Sequence, residues 1–77
     1  MKNNLKEVFG QVIKQLREQN GLSQQELADY AEIDRTHVSD LERGIYHPSL
    51  NTVYKLAEIL KIKPSELIAK VDSILKI

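Results

Sequence analysis

The sequence predicts an all-α fold built from five short helices. Two observations carry that expectation. Apolar residues recur at helical spacing along the whole chain, with no period-two stretch that would mark a strand. Capping residues and helix-ending signals also punctuate the chain at intervals that leave only short connections between helices.

The first helix is expected over about 5–19. Leu5, Val8, Phe9, Val12, Ile13 and Leu16 fall at i, i+3, i+4, i+7, i+8 and i+11, a single stripe predicted to be buried. Asn4 with Glu7 fits a cap and its third-position partner, and Gly21 suits the left-handed residue that ends a helix. Ser23 with Glu26 forms a capping-box pattern for a second helix at about 24–31, with Leu27, Ala28 and Ala31 facing inward. A third helix follows almost at once, capped by Asp34 and stopped by Gly44. Ser49 caps a fourth at about 50–60, and Pro64 fits the first turn of a fifth at about 64–75, where its missing N–H is not needed. The three glycines are read as helix ends.

A chain of 77 residues is expected to be one domain over 1–77. A domain this small buries only about 60% of the surface its unfolded chain exposes, so a partner subunit would help its stability. The absence of cysteine excludes disulfide and thiolate chemistry and fits a cytoplasmic protein. No apolar run approaches a membrane span and no signal-peptide core is present, so no membrane partner is expected. Eleven Lys and Arg balance eleven Asp and Glu. That balance argues against a generic polyanion binder while leaving room for a local basic face, expected from Lys6, Lys14, Arg17, Arg35 and Arg43, with Glu58, Glu66 and Asp72 toward the other end.

The third helix is the most informative. At 100° per residue, Val38, Leu41 and Glu42 share one side. Thr36, Ser39, Asp40 and Arg43 lie opposite, with Arg35 and His37 flanking near the start. The narrow apolar side predicts a helix lying on the body with most of its girth in solvent. Its outward groups are of the kind that read base edges in a major groove, although a solvated face alone would have the same composition. The preceding helix favours the first reading. Two short helices joined by a tight turn make a helix-turn-helix, with Ala28 small at the crossing and Ile33 filling the wedge.

At these residues the chain resembles a known family. "GLSQQELADYAEIDRTHVSDLERGIYHPSLNTVYKLAEILKI", residues 21–62, is similar to the phage repressor and Cro type of helix-turn-helix, also called the Xre family, whose fold is the compact lambda-repressor-like helical bundle. Size and the "DRTHVSDLERG" variant look most like the restriction–modification controller proteins. The resemblance implies a sequence-specific regulator acting as a homodimer on a two-fold operator in double-stranded DNA. It implies base readout by Arg35, Thr36, His37 and Asp40. It implies phosphate contacts from Ser23 and Gln24 at the start of helix two, from Ser39 and Arg43, and from Asn51 and Thr52 at the start of helix four, with Tyr46 and His47 in a loop skirting the backbone. It also implies a pairing of Arg17 with Glu42, read as structural because an unpaired inward carboxylate would be costly. Asp40 either accepts from cytosine N4 or orients Arg43 or His37. Where the family usually has glycine, this chain has Glu32, which must then tolerate positive φ.

No other chemistry is expected. His37 and His47 lack partners at metal-ligand spacing, no glycine-rich phosphate loop exists, and the serines read as caps. No enzyme, cofactor or small-molecule ligand is therefore expected. Tyr30 and Tyr54 are read as partly buried packing residues. Leu67, Ile68, Val71, Ile74 and Leu75 cover about a third of helix five. They form either the core contact of a terminal helix or a dimer face of Ile68, Val71 and Leu75, joined by Ile59. Two further readings remain open from the sequence: the antitoxin of a toxin–antitoxin pair, and a helical interaction module without DNA binding.

Overall fold

The computed structural model describes residues 5–45 and 47–75. Asn4, Tyr46 and Ile77, and with them the proposed Asn4 cap and the Tyr46 backbone contact, lie outside the described residues. The described chain forms α1 (Leu5–Gln19), α2 (Gln24–Ala31), α3 (Arg35–Glu42), α4 (Leu50–Ile59) and α5 (Pro64–Leu75). The all-α expectation therefore holds, with helix limits within a residue of those read from the caps.

The first four helices end the same way. One or two residues past the helix, the backbone takes a left-handed conformation, at Gly21 (φ 71°), Glu32 (φ 59°), Gly44 (φ 74°) and Lys61 (φ 61°). In each case its N–H and that of the following residue donate back to two carbonyls of the last turn, for example Glu32 N to Asp29 O and Ile33 N to Ala28 O. This is the Schellman geometry, which satisfies carbonyls that the helix leaves unpaired. The following residue is apolar each time, and Leu22, Ile33 and Ile62 turn onto the core. Glu32 thus occupies the strained position its sequence context demanded, and Lys61 does the same without having been anticipated.

The starts are equally local. Ser23 Oγ accepts from Glu26 N (3.0 Å) while Ser23 N donates to Glu26 Oε1 (2.8 Å), a complete capping box. Ser49 Oγ accepts from Thr52 N (3.1 Å). Asp34 departs from expectation: its backbone is extended as a cap requires, but its side chain makes no capping hydrogen bond. Lys63 N donates to Glu66 Oε1 (3.3 Å) just ahead of Pro64.

The core collects Phe9, Val12, Ile13 and Leu16 from α1, Leu27, Ala28 and Ala31 from α2, Val38 and Leu41 from α3, and Val53, Leu56, Ala57 and Leu60 from α4 and its end. From α5 it takes only Leu67 and Val71. Asn20 Nδ2 donates to both Leu16 O (2.8 Å) and Leu60 O (3.2 Å), tying the end of α1 to the end of α4.

Four packing expectations are corrected. Leu5, counted in the buried stripe of α1, is half exposed, because it lines an open surface groove with Ile68 and Leu75 instead of entering the core. Tyr30 and Tyr54 are exposed, at 65% and 59%, since neighbouring helices cover the other faces of α2 and α4. Gly10 does not end a helix; it lies inside α1, where a Cβ would stand 2.5 Å from Leu41 O and 2.6 Å from Glu42 O. Only a bare Cα lets α1 and α3 approach so closely. The broad stripe on α5 is split: Leu67 and Val71 are buried, whereas Ile68 and Ile74 are about half exposed.

Candidate nucleic-acid interface

The helix-turn-helix is formed by α2 and α3. Ala28 is fully buried where the two meet, and Ile33, in the turn, packs against the core. Val38 and Leu41 hold α3 to the body. That anchoring leaves Arg35, Thr36 and Arg43 exposed, with His37, Ser39 and Asp40 half-buried between them. The wheel derived from sequence is thus the observed orientation of α3. The Asp40 carboxylate lies 3.5 Å from Arg43 Nη1, a loose pair in solvent. Such exposed pairs contribute little stability, so Arg43 is free to exchange this partner for another anion.

Behind this face lies a buried ionic cluster. Arg17 Nε donates to Glu42 Oε2 (2.6 Å) and Arg17 Nη2 to Glu42 Oε1 (3.1 Å), the bidentate geometry that suits a guanidinium and a carboxylate. Arg17 Nη1 donates to Leu22 O (2.8 Å) in the turn before α2. Arg17 and Glu42 are only 8% and 9% exposed, and among the described residues no buried side-chain nitrogen or oxygen lacks a partner. Hydrogen bonding to Glu42 holds the Arg17 guanidinium pKa above its usual value, outweighing the desolvation that lowers it. Arg17 is therefore spent inside the fold and adds nothing to a basic surface.

Gln24 belongs to the same cluster. Its Nε2 donates to Glu42 Oε1 (3.0 Å), across 18 residues of sequence. Nothing in the local pattern marks this contact, because it depends on how α2 and α3 cross. Besides Ser39 on α3 and Arg43 at its end, the remaining expected phosphate ligands sit at helix starts. Ser23 is exposed and its oxygen caps α2; Asn51 is exposed; Thr52 is half-buried, with its N–H already given to Ser49.

Of the expected dimer residues, Ile68, Val71 and Leu75 line one groove, and Ile59 does not. Val71 is 3% exposed and serves the core of its own chain, because α5 packs this face onto α1. Ile59 is half-buried and lines a depression with Leu22 and Tyr30, apart from the groove that Ile68 and Leu75 form with Leu5, Phe9 and Pro48. Lys6 and Asp72 line that same groove, so the expected separation of basic and acidic ends fails for this pair.

A helix-turn-helix family model matches residues 13–67 of the chain. The chain belongs to the helix-turn-helix family of transcriptional regulators. This regulator is 36% identical over 69 residues to Control protein C.BamHI of Bacillus amyloliquefaciens, covering 88% of this chain and 85% of that protein. Among solved structures it resembles the restriction–modification controller protein C.AhdI from Aeromonas hydrophila, at 44% identity and a TM-score of 0.75 over 79% of this chain and 92% of that one. It also resembles SinR, a master regulator for biofilm formation solved in complex with DNA, at 33% identity and a TM-score of 0.73 over 78% and 97%. The lambda-repressor-like arrangement expected from the motif is the one these neighbours share. Among the described residues, no helix of the regulator is long and apolar enough to cross a membrane.

Proposed function

We propose that this regulator binds double-stranded operator DNA sequence-specifically as a homodimer and controls a restriction–modification operon. The orientation of α3 carries the reading: Val38, Leu41 and Glu42 are buried, which turns Arg35 and Thr36 outward with Asp40 between them and Arg43. A helix presented in this way enters a major groove, where Arg35 bonds guanine O6 and N7, and Thr36, His37 and Asp40 meet neighbouring base edges. Arg43, Ser39, Ser23, Gln24, Asn51 and Thr52 hold phosphates, and these contacts fix position without carrying base identity. Similarity to C.BamHI and C.AhdI supports the operon assignment, and no catalytic role is assigned to the chain.

The homodimer reading rests on α5. Ile68 and Ile74 are about half exposed, and Ile68 with Leu75 borders an apolar groove. Two copies joined there would set two α3 helices about one DNA turn apart, ~34 Å.

The deciding experiment is footprinting on the DNA upstream of the regulator's own gene at low salt. Two protected half-sites, one helical turn apart and related by two-fold symmetry, are expected. No protection at micromolar protein would sink the reading.

A further inference from the structure

The cluster behind α3 joins an expected phosphate ligand, Gln24, to the pair read as structural, Arg17 and Glu42. Glu42 is a carboxylate and only accepts hydrogen bonds, so the atom of the Gln24 amide that faces it must be the nitrogen. That nitrogen carries two hydrogens. One goes to Glu42 Oε1 at 3.0 Å. The Gln24 side chain has no other protein partner among the described residues, and the residue is half-buried at the first position of α2. The same Glu42 oxygen accepts from Arg17 Nη2, and the other accepts from Arg17 Nε. The negative charge behind the amide is thus cancelled by a cation that never reaches the surface.

We propose that Glu42 is a positioning residue for DNA: it turns the Gln24 amide so that one Nε2 hydrogen stays on the carboxylate and the other is offered to a backbone phosphate, while Arg17 removes the repulsion an uncompensated carboxylate would exert. This rests on the DNA reading above. A primary amide bridges two anions without itself being charged, and it does so beside a helix start, where the backbone already favours an anion. The ion pair is then part of the binding apparatus as well as part of the fold.

The test compares the full chain with Gln24→Ala, Glu42→Gln, Arg43→Ala and the doubles that combine Glu42→Gln with each of the others. Operator affinity is measured well below the melting temperature of every variant and expressed per folded molecule. Gln24→Ala should weaken binding by about tenfold, the scale of one hydrogen bond to a charged group. Glu42→Gln should weaken it similarly, and the Gln24→Ala/Glu42→Gln double should be no worse than either single variant. Arg43→Ala should cost the same factor in both backgrounds. If Gln24→Ala costs its full factor in the Glu42→Gln background, Gln24 acts without Glu42 and the proposal fails. Should Glu42→Gln not fold, side-chain amide NMR of the wild-type chain decides. One Gln24 Nε2 proton should exchange slowly with water in the free protein, and the other should shift when operator is added. Two equally fast-exchanging protons overturn the proposal. Wild-type protein that binds no DNA sequence would instead overturn the DNA reading itself, before any variant is compared.

Discussion

Gly10 of α1 and Leu41 of α3 meet backbone to backbone. A Cβ at position 10 would lie 2.5 Å from the Leu41 carbonyl oxygen. Nothing flexible stands there to yield, so α1 would have to lift from α3. Gly10→Ala gains about 1 kcal/mol of helix propensity and loses more to overpacking, typically about 1–3 kcal/mol. A net fall in melting temperature is expected. A thermal melt at or above that of wild type would show that the two helices separate without cost.

Glu32 and Lys61 are exposed residues in left-handed backbone, which costs about 1–2 kcal/mol relative to glycine at the same angles. Glycine gives part of this back through its greater freedom in the unfolded chain. Glu32→Gly and Lys61→Gly should each raise the melting temperature by a few degrees, since about 1 kcal/mol corresponds to about 4–8 °C in a domain of this size. Gly44→Ala should do the reverse, because the position combines positive φ with Glu7 Cα only 2.7 Å from the added Cβ. A destabilised Lys61→Gly would mean that the lysine side chain outweighs the strain.

Removing either member of the Arg17–Glu42 pair leaves a charge in a site that is 8–9% exposed. Glu42→Ala and Arg17→Ala should each cost up to ~3–5 kcal/mol, enough to unfold much of a chain this small at 37 °C. Joint replacement by apolar residues of similar volume should cost far less, since the pair's attraction is largely offset by desolvation. Urea titrations in which the two alanine variants match wild type would remove the pair from the stability account.

Reading and holding should separate by mutation. Arg35→Ala should weaken operator binding and flatten preference at one base pair per half-site, a loss of about 1–3 kcal/mol in discrimination. Arg43→Ala should weaken all sequences alike and reduce the salt slope by about one unit per subunit, as one phosphate contact is lost. Site selection with a salt titration distinguishes the two. An unchanged base preference in Arg35→Ala would leave α3 without its assigned role.

The dimer prediction falls on Ile68, because Val71 is buried in its own chain and its loss would disturb the core. Ile68→Ser should give a folded monomer with weakened operator binding. Sedimentation of wild type as a monomer at high micromolar concentration, with operator present, would exclude the α5 dimer.

Each helix and its limits could be read from the sequence because caps and helix ends are local. Ser23 with Glu26, Ser49 with Thr52, and Gly21 and Gly44 act through hydrogen bonds within a few residues of themselves. The inward placement of Val38, Leu41 and Glu42 was equally legible, since helical periodicity alone puts them on one side of α3. What surrounds a face was not. Ile68 and Val71 look equivalent on the wheel of α5, yet α1 covers one and leaves the other half exposed. Tyr30 and Tyr54 look like packing residues until the neighbours of α2 and α4 prove to lie elsewhere. Gly10 is needed because α3 crosses there, and Gln24 reaches Glu42 because α2 crosses α3; no local signal encodes either meeting. Local hydrogen bonding sets the elements, but which of their surfaces touch depends on how five helices share one small core, and only the tertiary arrangement decides that.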